Sequence, residues 1–492
     1  MLEKHFKQFR ENSIGINQTF TSPYGEQKII YTDWTASGRM YAPIEKTLLT
    51  KFYPFVANTH TETTKTGSSM TIAYHVAQKI IKDHVNASQQ EVIITCDAGM
   101  TGAINKFQRI LGLRIHEKYK NKVIIPEQER PIVFVTHMEH HSNQTSWLET
   151  IAEVVVINPN SDGLVDMNHL KKLLEKYKNR NTKIAAITSC SNVTGVFTPY
   201  HEIAALMHKN NGLCFVDFAC SAPYINIDMN PKNEQEKLDA IYFSPHKFLG
   251  GPGTSGVLIF NSKLYTNKIP DNPGGGTVEW TNPWGEHAYV ANIEAREDGG
   301  TPGFLQVIRT ALCIQLKNKM GVDKMLAREH ELLNVVWEKL KTISNLHILA
   351  PKNTNRLSIV SFYIDDLHYN LAVKLLNDKF GIQTRGGCSC AGTYGHYLLH
   401  VDKNYSHSIT SEIACGILDH KPGWIRLSLH PTTTNQELKF ILASIKQLCL
   451  NHQTWKKDYV HHQQTNEFTH LLEDKNIQYK EVVNWFKVGS KN

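Results

Sequence analysis

No run of some twenty apolar residues occurs in the 492-residue chain, so no stretch of the sequence reads as a membrane-spanning helix. The first ten residues, Met1 to Arg10, hold no continuous apolar stretch of the kind a secretory leader needs, and a cytoplasmic location is the expectation. Blocks of Lys and Arg are missing too. The net charge of +7 is thinly spread and offers nucleic acid no concentrated footprint, so no nucleic-acid or membrane partner is expected. Paired cysteine frameworks are also lacking: the nine cysteines, at 96, 190, 214, 220, 313, 388, 390, 415 and 449, are odd in number and mostly embedded in apolar segments, as buried thiols are. Only Cys388 and Cys390 fall together in a polar, glycine-rich stretch. A C-x-C without a second pair is no zinc framework, so these two read as reactive thiols. His137, Glu139, His140 and His141 do not have the His-Glu-x-x-His spacing that sets two ligands on one helix face, and no metal is expected.

What remains is 41% apolar and 20% charged residues, an ordinary globular composition with length enough for two or three domains. The most informative stretch runs from Ala240 to Gly256 and carries a single lysine, Lys247, between two short apolar runs, 240–243 and 257–260. The pattern is strand, tight turn, glycine loop, strand. A lysine held among apolar neighbours loses the solvation of its ammonium form, and its free amine can condense with a carbonyl as a Schiff base. Ser244 and His246 beside it offer a hydroxyl and an imidazole N–H suited to a phosphate.

Strand and helix signals alternate from Glu91 to Phe260: apolar runs at 92–95, 132–135, 153–157, 184–188 and 213–217, with helical spacing over 103–113 and 167–178. This repetition predicts an α/β fold with a mostly parallel central sheet sandwiched by helices, its ligand held at the carboxyl ends of the strands. The loop Cys96–Gly102 opens onto a helix start, so Gly99, Met100 and Thr101 are the candidate phosphate cradle. Asp217 ends an apolar strand and needs a cationic partner there. Beyond the long glycine- and proline-marked segment 269–304 and helices over 304–316 and 323–343, the pattern changes to a smaller α+β unit. It has a strand near 357–362, a helix over 368–380 stopped by Gly381, and a strand over 424–429. A final helix opens with a capping box, Thr434 to Glu437. The expected organisation is an N-terminal helix and connector (1–25), a large α/β domain (26–318), a small C-terminal α+β domain (319–455) and an extension without recognisable motif (456–492).

Ser-Pro-His-Lys followed by Gly-Gly-Pro-Gly at 244–253 resembles the cofactor-lysine motif of class V pyridoxal-phosphate enzymes, in particular the cysteine desulfurase and selenocysteine lyase branch. Further stretches resemble that family in the same order: Gly99-Met-Thr101, Glu139-His-His-Ser-Asn143, Ser191-Asn-Val-Thr-Gly195, Asp217 thirty residues before Lys247, Glu297-Asp-Gly-Gly-Thr-Pro302 and Arg426-Leu-Ser-Leu429. Thr384-Arg-Gly-Gly-Cys-Ser-Cys390 and Asn58-Thr-His60 also resemble segments of molybdenum-cofactor sulfurases. The resemblance implies the aspartate-aminotransferase-like fold and pyridoxal 5'-phosphate as cofactor, linked to Lys247. Asp217 then faces the pyridine nitrogen, His140 stacks on the ring as an acid/base, and Asn192 bonds the cofactor or the substrate carboxylate. Ser244, His246, Gly99, Met100 and Thr101 lie around the phosphate. Arg426 holds the substrate carboxylate, and Cys390, with Cys388 as the alternative, is the persulfide-forming nucleophile. Thr301 is implied to bind the phosphate of a second subunit, hence a homodimer, with a sulfur-acceptor protein as a possible further partner. Two departures stand out: Met100 replaces a threonine of the family, and Cys220 stands where a glutamine commonly supports the ring hydroxyl. The implied reaction removes sulfur or selenium from L-cysteine or L-selenocysteine to give L-alanine. The alternative is another class V specificity, such as an aminotransferase, epimerase or kynureninase-like activity on a different amino acid.

Overall fold

The computed structural model describes residues 1–489 except His60, Asp97, Ala98 and Asn121. Seven strands make the main sheet: β1 (Glu91–Cys96), β2 (Ile132–Thr136), β3 (Glu153–Ile157), β4 (Lys183–Thr188), β5 (Leu213–Asp217), β6 (Ala240–Phe243) and β7 (Gly256–Asn261). Their order across the sheet is β1-β7-β6-β5-β4-β2-β3. Only β7 runs antiparallel to its neighbours, and the pairs from β6 across to β3 are parallel. Valine, isoleucine and phenylalanine fill these strands almost without interruption because helices cover both faces: β2, β4 and β6 are buried along their whole length, whereas edge strand β3 is only half-buried.

A second sheet of four antiparallel strands follows: β8 (Leu346–Ile348), β9 (Ile359–Ile364), β10 (Arg385–Gly387) and β11 (Trp424–Ser428), ordered β8-β9-β11-β10. It has its own apolar cluster, built with the helices Tyr369–Phe380 and Asn435–Trp455. The N-terminal segment pairs with the small domain rather than with the large sheet. Ile30 and Tyr31 pair in parallel with Ile382 and Gln383, and Asp33 forms a bridge with Ser428.

Several expectations are refined. The helix after β1 spans Gly99–Ile110, so Gly99, Met100 and Thr101 form its first turn instead of a preceding loop; Asp97 and Ala98, also assigned to that loop, lie outside the described residues. The connector after helix Leu2–Glu11 contains a hairpin, Thr19–Ser22 with Gly25–Lys28. The long 269–304 segment contains another, Val278–Thr281 with His287–Tyr289. The extension beyond 455 folds as a hairpin, Tyr459–His462 with Glu467–His470, followed by helix Lys475–Trp485. Its His461 is no free surface group: the ring stacks on Phe468 and Nε2 meets Asn466 Oδ1 at 3.0 Å. The capping box closes on one side only. Glu437 N–H donates to Thr434 Oγ1, but the Glu437 carboxylate is taken by Arg10 in a two-pronged pair.

Candidate active site

Because β7 is antiparallel, its first residue lies beside the last residue of β1, Gly256 opposite Cys96, and the turn carrying Lys247 joins β6 to β7 at that same sheet edge. A Cβ on Gly256 would stand 1.9 Å from Gly99 O, so the helix start rests directly on the strand start only because no side chain intervenes. Gly38 makes the same close approach to Phe248 O, which brings Thr35 and Ala36 to the rim. The result is a cavity of about 390 Å³ at the carboxyl ends of β1, β4, β5 and β6. Into it face Lys247, Asp217, His140, Asn192, Cys220, Ser244, His246, Gly99, Met100, Thr101, Arg426 and Cys390. A larger surface hollow of about 660 Å³ lies elsewhere, lined by Lys79, Lys82, Asp83 and Glu294 already paired with one another, and no cysteine lines it.

Asp217 is 3% exposed. Its Oδ1 accepts the Ala219 N–H at 2.8 Å, and among the described residues it forms no ion pair. Burial raises its carboxyl to about 6, with the Ala219 N–H and the Lys247 amine pulling the other way. Burial lowers Lys247, offset in part by Cys220 and Asp217. His140 caps helix His141–Leu148, its Nδ1 accepting the Ser142 N–H at 3.1 Å, which places the ring proton on Nε2. Burial and then the Lys247 charge hold His140 down to about 3, a neutral imidazole. Ser244 Oγ accepts the Met100 N–H at 2.8 Å and ties the Lys247 turn to the helix start, while Thr101 Oγ1 meets Ser142 Oγ at 2.7 Å. Cys220 lies against Cys190. Burial raises the Cys190 thiol, whose hydrogen bond lowers Cys220.

The structure separates the two thiols of the C-x-C. Cys390 lines the cavity, whereas Cys388 turns toward the large apolar core. Ser389 and Cys390 both take left-handed backbone (φ +51° and +57°), a double reversal that turns the chain over the site. His141 clasps this turn twice, its N–H donating to Cys390 O at 2.7 Å and its Nε2 accepting the Gly392 N–H at 2.9 Å. Asn192 adds a third tie, Nδ2 to Ser389 O at 2.8 Å. That tie uses one of the two Nδ2 hydrogens, so Asn192 keeps its second N–H and the unpartnered, buried Oδ1.

Arg426 is nearly fully buried. Its NH2 meets Asp33 Oδ1 at 2.5 Å and its NH1 meets Asn192 O at 3.2 Å, which leaves Nε without a partner. Arg385 stands directly across the β10–β11 pair from it and lines the same cavity. Sequence reasoning missed Arg385, Asp33 and Thr254, whose buried Oγ1 faces the cavity without a partner. Arg385, in the same glycine-rich turn five residues before Cys390, was the readable signal. Thr301 does not line this cavity; it is exposed, 3.5 Å from Asn58 Oδ1, and His60 beyond lies outside the described residues. The metal reading of His137 and Glu139 is spent otherwise: Glu139 accepts from Thr136, Asn143 and Thr188, and His137 meets Gly163 O.

Comparison with known proteins agrees with this geometry. The chain is 27% identical over 393 residues to a probable cysteine desulfurase of Staphylococcus aureus, covering 77% of this chain and 89% of that one. A probable cysteine desulfurase of Halalkalibacterium halodurans is 28% identical over 368 residues, 74% of this chain and 84% of that one. Among solved structures, the apo cysteine desulfurase of Thermococcus onnurineus shares the fold with a TM-score of 0.72 at 21% identity, covering 90% of this chain and 98% of that one. The cysteine desulfurase CsdA of Escherichia coli, in its S-sulfonic acid form, does so at 0.69 and 20% identity, covering 91% and 98%. No helix among the described residues is long and apolar enough to cross a membrane. With the aminotransferase class-V model matching residues 30–441, the chain belongs to the aminotransferase class-V family of enzymes and carries the fold of its pyridoxal-phosphate members.

Proposed function

We propose that this chain is a pyridoxal-phosphate-dependent cysteine desulfurase that transfers the sulfur of L-cysteine to Cys390 and releases L-alanine. The observation that carries the reading is the presence of Cys390 in the same cavity as Lys247, Asp217 and the two arginines, since amino-acid chemistry at carbon alone has no use for a thiol there. The residues present fit the cofactor. A buried carboxylate without a cation suits a protonated ring nitrogen, and the Gly99 helix start beside Ser244, His246 and Thr254 suits a phosphate. Bound there, pyridoxal phosphate supplies an electron sink for the substrate's Cα.

The chain's own groups do the rest. Arg426 and Arg385, which line the cavity side by side across the β10–β11 pair, take the substrate carboxylate. Asp217 would hold the pyridine nitrogen of a bound cofactor in its cationic form. The Lys247 amine, whose ammonium form burial disfavours, takes and returns the proton at Cα. His140, neutral with its proton on Nε2, offers a hydrogen-bond donor in the cavity lining. Cys390 Sγ attacks the substrate sulfur: an S–S bond forms, the Cβ–S bond breaks with its electron pair left on carbon, and a proton completes the methyl group of alanine. A persulfide remains on Cys390 for an acceptor, which in this reading is a second protein or a small reductant. The same reading assigns exposed Thr301 to the phosphate site of a second copy in a homodimer.

Cysteine, selenocysteine and a panel of other amino acids, incubated with the parent and Cys390→Ser in the presence of dithiothreitol to reduce the persulfide, test this. The expected result is alanine and sulfide from cysteine, lost at least a hundredfold in the variant with an unchanged cofactor absorbance. Turnover of a different amino acid, indifferent to Cys390, would establish another class V specificity instead.

A further inference from the structure

The family match ends at residue 441, yet the hairpin Tyr459–His462/Glu467–His470 beyond it is fastened to the segment that carries Cys390. The fastening runs through one ring. Tyr369 is 8% exposed and lies beneath Gly386, Gly387 and Gly423. A Cβ on Gly423 would meet its ring at 2.5 Å, and one on Gly386 would meet it at 3.2 Å after Asn370 Oδ1 at 2.7 Å. These glycines bracket the excursion that leaves β10, passes Cys390 and the helices Gly392–Leu398 and Lys403–Ala414, and returns to β11. Both ends of the excursion therefore rest on the same side chain.

The hairpin holds that side chain from behind. Asn466, itself left-handed (φ +57°) and 5% exposed, donates from Nδ2 to Tyr369 Oη at 2.9 Å. Its carbonyl accepts Asn370 Nδ2 at 2.6 Å, and its Oδ1 meets His461 Nε2 at 3.0 Å. A second tie reaches the excursion itself, from Gln463 Nε2 to Asp419 Oδ2 at 2.9 Å, with His461 Nδ1 3.6 Å from Asp419 Oδ1. Residues 415–421 also bond locally, Ile417 N–H to Glu412 O and His420 Nδ1 to Glu412 Oε2, and most of 415–422 is exposed.

We infer that the C-terminal hairpin is a brace that sets the position of the Cys390 turn, with Asn466 and Gln463 as positioning residues for sulfur transfer. The inference rests on the reading of Cys390 as the sulfur acceptor. Its mechanical part, that the hairpin holds the turn in place, is independent of which substrate the enzyme uses.

The test uses the full-length holoenzyme with Asn466→Gly, which keeps the left-handed backbone and removes only the side chain. Gln463→Ala removes the second tie, and Tyr369→Phe keeps the ring under the glycines and removes the hydroxyl. Alkylation by iodoacetamide is followed cysteine by cysteine by peptide mass spectrometry. The expected result for Asn466→Gly and Tyr369→Phe is Cys390 labelling about five-fold faster, the factor one net hydrogen bond sets on a docking equilibrium. Buried Cys190 and Cys214, both 0% exposed, stay unlabelled and the cofactor absorbance is unchanged. Sulfide release falls in kcat only as far as the docked fraction falls, by less than the gain in labelling and with KM unchanged, and Gln463→Ala shows a smaller labelling effect in the same direction. Labelling of Cys390 within twofold of the parent in all three variants overturns the brace. So does labelling that rises at Cys190 and Cys214 in parallel, which marks general opening of the fold. A parent that releases no sulfide while its Cys390 labelling still responds to Asn466→Gly contradicts the desulfurase reading and leaves the brace standing.

Discussion

Asp33 offers the sharpest perturbation, because it touches Arg426 from 393 residues away in sequence and does no chemistry in the proposed reaction. Replacing it by asparagine keeps an oxygen near the guanidinium but removes the only counter-charge that Arg426 has among the described residues. Breaking a buried pair by removing one partner costs about 3–5 kcal/mol; here the Arg426 side chain is 3% exposed but that of Asp33 is 18% exposed, and the amide retains a hydrogen bond. The expected loss is therefore at the low end, about 2–3 kcal/mol of unfolding free energy. A ligand carboxylate restores the missing charge. Saturating L-alanine should accordingly stabilise Asp33→Asn more than it stabilises the parent, since any ligand that binds only the folded state adds stability in proportion to its affinity. Urea unfolding with and without L-alanine reads both quantities. A variant within about 0.5 kcal/mol of the parent, showing the same ligand shift, would refute the view that Arg426 is a carboxylate receptor balanced by Asp33.

Asp217→Asn should weaken cofactor binding by roughly a hundredfold or more, the cost of leaving a cationic ring nitrogen without its buried partner, as read by spectrophotometric titration of the cofactor-free protein. The same variant changes the pH response of that cofactor-free protein. Asp217 titrates near 6 when folded, against an ordinary 3.8, so the stability it lends is full below about 4 and is lost as pH rises through about 6. Removing the carboxyl should flatten the thermal midpoint over this window; a parent-like slope in the variant would show that another group, such as Glu139, raised to about 7 by burial, governs it.

Much of the site is legible in the chain because its chemistry is local. Lys247 and Asp217 announce themselves as charged residues at the ends of apolar strands, and the strand-helix alternation places those ends on one edge. What stays hidden depends on contacts between distant segments or on backbone geometry. Asp33 reaches Arg426 only because residues 30–33 pair with the small domain. The choice between Cys388 and Cys390 is made by two left-handed residues, Ser389 and Cys390, neither of which is a glycine that would have signalled the reversal. The hairpins at 19–28 and 459–470 escape notice because their strands are short and largely exposed, without the clean alternation of a half-buried strand. Glu437 follows the capping-box spacing, yet a stronger charge partner, Arg10, draws its carboxylate away.

The central claim is that Lys247 and Asp217 hold pyridoxal phosphate between them, and peptide mapping after borohydride reduction tests it most directly. The account predicts a visible absorbance band in the isolated protein, its loss on reduction, and the mass of the reduced cofactor on the peptide that contains Lys247 and on no other. A colourless protein that takes up no added cofactor, or a label on any other lysine, would contradict it.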